Sequence, residues 1–163
     1  MTKFSSCPPN VAWSLLRSVT SPQQRSAQAA DAAAARKSIA ALDNGGVQAS
    51  QIRVISPYRV VAENAQAIFR GVFPEAGSGD LDQWIGTVHR MQGREADAVV
   101  RVLGGDPDKP GSRRFARETP NLLNVAVTRA KRRLHVIGNC STWGSERYFD
   151  KLADPAVLRR CRP

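Results

Sequence analysis

Cysteine is scarce: Cys7, Cys140 and Cys161 are the only three in 163 residues, and they lie far apart. Odd in number and without a C-x-x-C pair, they offer neither a disulfide framework nor a metal knuckle, and a reducing cytoplasm is the expected setting. No apolar run approaches the roughly 18 residues that cross a bilayer, so no membrane partner is expected. MTKFSSCPPN carries a lysine with no apolar stretch behind it, so no secretory leader is expected either. The only histidines, His89 and His135, show no ligand spacing, and His135 sits inside an apolar run where it reads as structural. Metal ligands are therefore not assigned. Asp80 with Asp82 is the nearest approach to a magnesium-holding acidic pair, but its Gly/Ser surroundings read as a solvated loop. No G-x-x-x-x-G-K-[ST] occurs, so nothing here cradles a β- or γ-phosphate as a P-loop does. Nucleophile triads and Cys–His pairs are equally without support from spacing.

Acidic residues are also in short supply. Twenty-four Lys and Arg face 14 Asp and Glu, a net charge of +10. An excess of that size points to a polyanion, nucleic acid before an anionic membrane, with a merely soluble basic protein as the plain alternative. Most of the cations are arginine, whose planar fork matches phosphate, and this favours phosphate recognition.

The length suits one domain with its own core. Residues 1–20 show no clear period and are expected to be a poorly ordered lead-in or the cut edge of a larger protein; 21–163 is expected to be the domain. Ser21-Pro22-Gln23-Gln24 has the form of a helix start, and the alanine-rich stretch behind it runs to Leu42, where Gly45-Gly46 stops it. Four short apolar runs read as strands: Ile52–Ser56, Trp84–Val88, Ala98–Leu103 and Leu134–Gly138. They are continuous rather than alternating, as strands covered on both faces are. Val60–Arg70 places Val61, Ala65, Ile68 and Phe69 on one helical face. Pro120–Lys131 places Leu123, Ala126, Val127 and Ala130 on one face, with Thr119 as N-cap. Gly104–Glu118 is a long polar loop with Arg113, Arg114 and Arg117, and two short helices close the chain, the second opened by Asp154-Pro155. The alternation predicts an α/β domain of three layers, with a mostly parallel sheet flanked by helices.

Three segments carry a resemblance. VISPYR (Val54–Arg59), TVHRMQGREADAVV (Thr87–Val100) and NLLNVAVTRAKRRLHVIGN (Asn121–Asn139) resemble motifs IV, V and VI of superfamily 1 helicases, in that order. The likeness extends over roughly Ser21 to Asn139 and is nearest to the Upf-like and related AAA-type bacterial helicases. It implies the second, C-terminal RecA-like motor domain of an ATP-dependent helicase or translocase. Its partners would be single-stranded nucleic acid, DNA or RNA, and a first motor domain bearing the P-loop. ATP and Mg2+ would serve the complete enzyme, with the Mg2+ ligands outside this chain, so the chain alone is expected to be inactive as an ATPase.

The resemblance also implies roles for residues. Arg129 is the motif VI arginine, the catalytic finger at the γ-phosphate; on the expected helix it falls about 120° from the centre of the apolar stripe. Gln92, Gly93, Arg94 and Glu95 are the nucleotide-binding set of motif V, with Gly93 permitting close backbone approach. Ser56, Pro57, Tyr58, Thr87 and His89 are the nucleic-acid set; Tyr58 suits stacking on a base or packing into the core equally well. The Y-R-M-H-P-like opening of Upf-like helicases is absent, so one γ-phosphate arginine has no counterpart. The alternatives are a standalone nucleic-acid-binding module without catalysis, or a partner supplying Arg129 in trans to a P-loop subunit.

Overall fold

The computed structural model describes residues 11–16 and 24–28 through their backbone, and 29–104, 114, 128–139, 143 and 149 in full. Eight main elements run in the order β1 (Val11–Leu16), α1 (Gln24–Asn44), β2 (Ile52–Ser56), α2 (Arg59–Arg70), α3 (Ser78–Trp84), β3 (Ile85–Thr87), β4 (Ala96–Val102) and β5 (Ala130–Asn139). The five strands form one sheet in the order β1-β5-β4-β2-β3, and every pairing is parallel. The architecture is the expected α/β arrangement of RecA type.

Both faces of the sheet are covered, which explains the unbroken apolar runs. Ile52 and Val54 of β2, Ala98, Val100 and Val102 of β4 and Ile137 of β5 join Ala35, Ile39 and Leu42 of α1 and Ala65 and Phe69 of α2 in one core. Ile55, Val99, Leu134 and Val136 point the other way, into a second core with Val88, Met91, Leu103, Trp143 and Phe149. Helix α1 ends where Gly46 turns to φ +77°, with Gly45, Gly46 and Val47 N–H groups taking the last carbonyls. Gly104, two residues past the end of β4, has φ +58°, and a Cβ there would lie 2.8 Å from Val61 Cγ2. Its carbonyl accepts a buried 2.9 Å bond from the Trp143 indole.

Several expectations need correction. Val11–Leu16, within the stretch expected to be an irregular lead-in, forms β1 on the sheet edge, Val11 in register with Leu134. Asp80 and Asp82 belong to a helix, α3, not a solvated loop. Asp80 accepts from the Gly77 N–H at 3.3 Å, and Asp82 meets Gln66 Nε2 at 3.2 Å and Arg90 at 3.5 Å. Strand β5 begins at Ala130, four residues before the expected Leu134, so the helix expected to reach Lys131 has already ended; only Thr128 and Arg129 are helical in its described part. The Ser21–Gln23 cap, most of the Gly104–Glu118 loop, the start of the Pro120 helix and the Asp154-Pro155 start lie outside the described residues.

Two titrating groups in the layers have opposite signs. His135, half-buried on β5, is lowered from its ordinary value by burial and then by Arg133, so it stays neutral at pH 7 as a structural residue. Asp31 of α1 lies against Val60, Val61 and Ile68 of α2, and burial raises its carboxyl to about 6. A folded pKa above the unfolded 3.8 stabilises the fold fully below 3.8, and that stability is lost as pH rises to about 6. Asp31→Asn is therefore expected to raise stability at pH 7.5 by about 1 kcal/mol, allowing for partial exposure, and by almost nothing at pH 3.5. Urea midpoints at the two pH values check this; equal shifts at both would refute it.

Candidate nucleotide and nucleic-acid edges

In a parallel sheet all strands start at one edge and finish at the other, so a residue's place along its strand decides which edge it serves. The sequence-derived site divides accordingly. Ser56 ends β2 and Thr87 ends β3, and the two are register partners at the C-terminal edge. Ser56 is buried; its Oγ accepts from the Tyr58 N–H at 3.2 Å and its carbonyl from the Val88 N–H at 3.2 Å. Its hydroxyl thus shapes the turn into α2. Pro57 is buried, and Tyr58 is half-buried with its ring packed on the second core beside Gly104. Of its two open roles, core packing is the one the described contacts display. Thr87 is half-buried, its carbonyl accepting from Met91 at 3.0 Å, and His89 is exposed on the following turn.

From there the chain returns to the N-terminal edge across β2, with Val88 and Met91 packed against the second core alongside Ile55. Gln92, Gly93 and Arg94 are exposed along this crossing. Gly93 has φ +83°, and nothing lies within 4 Å of a Cβ built on it. The glycine is thus required by backbone conformation, and no described atom crowds it. Arg94 Nη1 donates to the Gln83 carbonyl at 3.1 Å, which ties the turn to the end of α3.

Glu95 directly precedes β4 and Arg129 directly precedes β5, and Ala96 and Ala130, the next residues, are register partners. Adjacent strands lie about 4.8 Å apart, so the two functional candidates, 34 positions apart in sequence, are neighbours at this edge. Arg129 is half-buried, and its Nε is enclosed with no hydrogen-bond partner among the described residues. Glu95 Oε2 lies 3.6 Å from Lys131 Nζ, both side chains about half exposed, at 54% and 56%. An open ion pair of this kind contributes little to stability and is easily exchanged for another partner. Lys131 escaped the sequence reading because it was placed on a helix; as the second residue of β5 it is carried to Glu95. Arg101 was also passed over. It is fully buried within β4, and burial pushes its guanidinium down to about 10, still cationic at neutral pH. A charge inside an unbroken apolar strand was the signal available. Among the described residues no three His, Cys, Asp or Glu side chains come together.

Residues 9–141 match the AAA domain family. The chain belongs to that family. Its AAA domain is 36% identical over 128 residues to DNA polymerase alpha-associated DNA helicase A of Schizosaccharomyces pombe, covering 74% of this chain and 18% of the relative. It is 33% identical over 116 residues to DNA-binding protein SMUBP-2 of Mus musculus, covering 71% of this chain and 11% of the relative. It is 32% identical over 110 residues to Helicase sen1 of the same yeast, covering 68% of this chain and 6% of the relative. The AAA domain thus spans less than a fifth of the length of each of these relatives.

Proposed function

We propose that this AAA domain is the second, C-terminal motor domain of a superfamily 1 helicase or translocase, driven by ATP along a single strand. The observation that carries the reading is the meeting of Glu95 and Arg129 at one sheet edge, with Ser56, Thr87 and His89 at the other. Two residues assigned to one nucleotide by two distant motifs, V and VI, would have no reason to converge on an edge if the motifs were accidental. The relatives named as helicases and as a DNA-binding protein agree with it.

In this reading the N-terminal edge faces a P-loop domain, which holds the triphosphate and Mg2+. Glu95 exchanges Lys131 for the nucleotide's hydroxyls. Arg129, with a permanent charge and a fork that meets two oxygens, stabilises the charge that develops as water attacks the γ-phosphorus. The cytoplasm is the proposed location.

Two outcomes test the reading. The purified chain alone is expected to hydrolyse no ATP, because it has no P-loop sequence; turnover that a mutation within the chain abolishes would end the proposal. The chain is also expected to bind single strands weakly, with about 0.7 added to the log–log salt slope for each phosphate neutralised. Fluorescence anisotropy between 20 and 200 mM salt reads the slope, and an affinity indifferent to salt would count against the C-terminal edge as a strand-binding surface.

A further inference from the structure

Helices α1 and α2 leave a groove between them at the C-terminal edge of the sheet, beside Val102, the last residue of β4. Its walls are apolar, built by Ala35 of α1 and by Val61 and Ile68 of α2, and the exposed Val60 stands on its rim. One ionisable side chain lines it, Asp31 of α1. That carboxyl is half-buried and raised by burial alone, with neither a cation nor a hydrogen-bond donor to hold its charge among the described residues.

The charge is unfavourable to the fold at neutral pH, and cations are not scarce in a chain with 24 Lys and Arg against 14 Asp and Glu. An unpartnered carboxylate kept in a cleft at a loss of stability marks a binding site. A carboxylate in an apolar trough suits a cation whose own stem is apolar, as those of lysine and arginine are. Arginine suits it better, because its fork meets both carboxylate oxygens and it gives up its water more readily than an ammonium. We propose that the groove between α1 and α2 docks an arginine side chain of a partner protein, with Asp31 as its carboxylate and Val60 in the apolar rim that shields the pair from water.

Size and charge separate this occupant from nucleic acid. The groove holds about 40 Å³, room for about three waters, which is the bulk of a guanidinium head and well short of a nucleobase. A phosphate strand laid over it would bring like charge to a half-buried carboxylate. A desolvated ion pair ringed by apolar contacts is instead the form of a protein–protein hot spot. Asn64 lines the same groove and offers an amide oxygen to the N–H donors that Asp31 leaves over. None of Ser56, Thr87, His89, Glu95 and Arg129 lines the groove, so the docking site stands apart from the motor reading.

The test is an NMR titration of the isotope-labelled chain at pH 7.5 with butylguanidinium, an arginine side chain without its backbone, and with butylurea, its uncharged isostere. Backbone amides of Val60, Asn64 and Gly104, all lining the groove, are expected to shift to saturation with butylguanidinium and to stay in place with butylurea. Asp31→Asn is expected to raise the Kd about tenfold, the effect of one charge-assisted bond. This variant removes an unfavourable charge and so keeps the fold. Asp43→Asn is the control, an exposed carboxylate about 18 Å further along α1, and is expected to change the Kd less than twofold. A single-stranded oligonucleotide is expected to leave the probe bound. No saturable shift, equal responses to the two probes, equal losses in the two variants, or shifts away from the groove would each overturn the site. Displacement by the oligonucleotide would also overturn it and give the groove to nucleic acid. Because probe binding needs neither ATP nor a P-loop domain, loss of the motor reading would leave the docking site standing.

Discussion

Phe69→Ala is expected to destabilise the domain by about 3–5 kcal/mol, the cost of emptying a large aromatic site that cannot collapse. The side chain is fully buried on α2, its ring centroid 4.9 Å from Phe73 and 6.1 Å from Trp84. It therefore ties the end of α2 to the following turn and to the last residue of α3. These two helices bracket β2 and β3, whose ends carry Ser56 and Thr87, so the same packing that stabilises the fold sets the C-terminal edge. Urea denaturation measures the loss as a fall in midpoint at nearly constant slope. Val60→Ala on the same helix is the control: Val60 is 62% exposed and its truncation is expected to cost less than 0.5 kcal/mol. If Phe69→Ala cost under 1 kcal/mol, α2 would not be packed on the sheet as described.

Much of this arrangement was legible from residue pattern. Ile52–Ser56 reads as a strand because both its faces are apolar, and α2 reads as a helix because Val61, Ala65, Ile68 and Phe69 repeat at helical spacing. What failed has a common physical cause: the decisive partner was remote. VAWSLL has no period that marks it as a strand, and its place beside β5 comes from hydrogen bonds to a segment more than 100 residues away. AKRRLH begins with three exposed side chains after Ala130, KRR, so apolar pattern located only its second half. The family motif singled out Arg129 as a candidate, but helical angles could not show that Ala130 pairs with Ala96 and so brings Glu95 alongside. Lys131 shows the same limit from another direction: it looks like an ordinary surface cation until β5 carries it to Glu95.

That assembly makes Arg129→Ala in the complete motor the sharpest expectation. The helical-wheel argument for its direction rests on residues outside the described ones, since only Thr128 and Arg129 of that helix are described. Its place at the start of β5 is a better one: backbone pairing of Ala130 with Ala96 fixes the position, and the enclosed Nε without a described partner leaves hydrogen-bonding capacity for a ligand. ATP turnover stimulated by a single strand is expected to fall by roughly 10³-fold, the scale on which arginine fingers act, with ATP binding and thermal stability nearly intact. Arg129→Lys should recover little, since an ammonium carries the charge without the fork. Arg132→Ala supplies the comparison, an exposed cation three residues along on β5 rather than at its start, and its turnover is expected to stay within twofold. An arginine with only a structural role would give the opposite pattern: a modest loss of stability at Arg129 and similar, mild kinetic effects at both positions. The separation of kcat from binding decides between them, because an interaction made only in the transition state lowers kcat without weakening ATP. A fall of less than about tenfold for Arg129→Ala would remove it from the catalytic role, and the second-motor reading would lose its central residue.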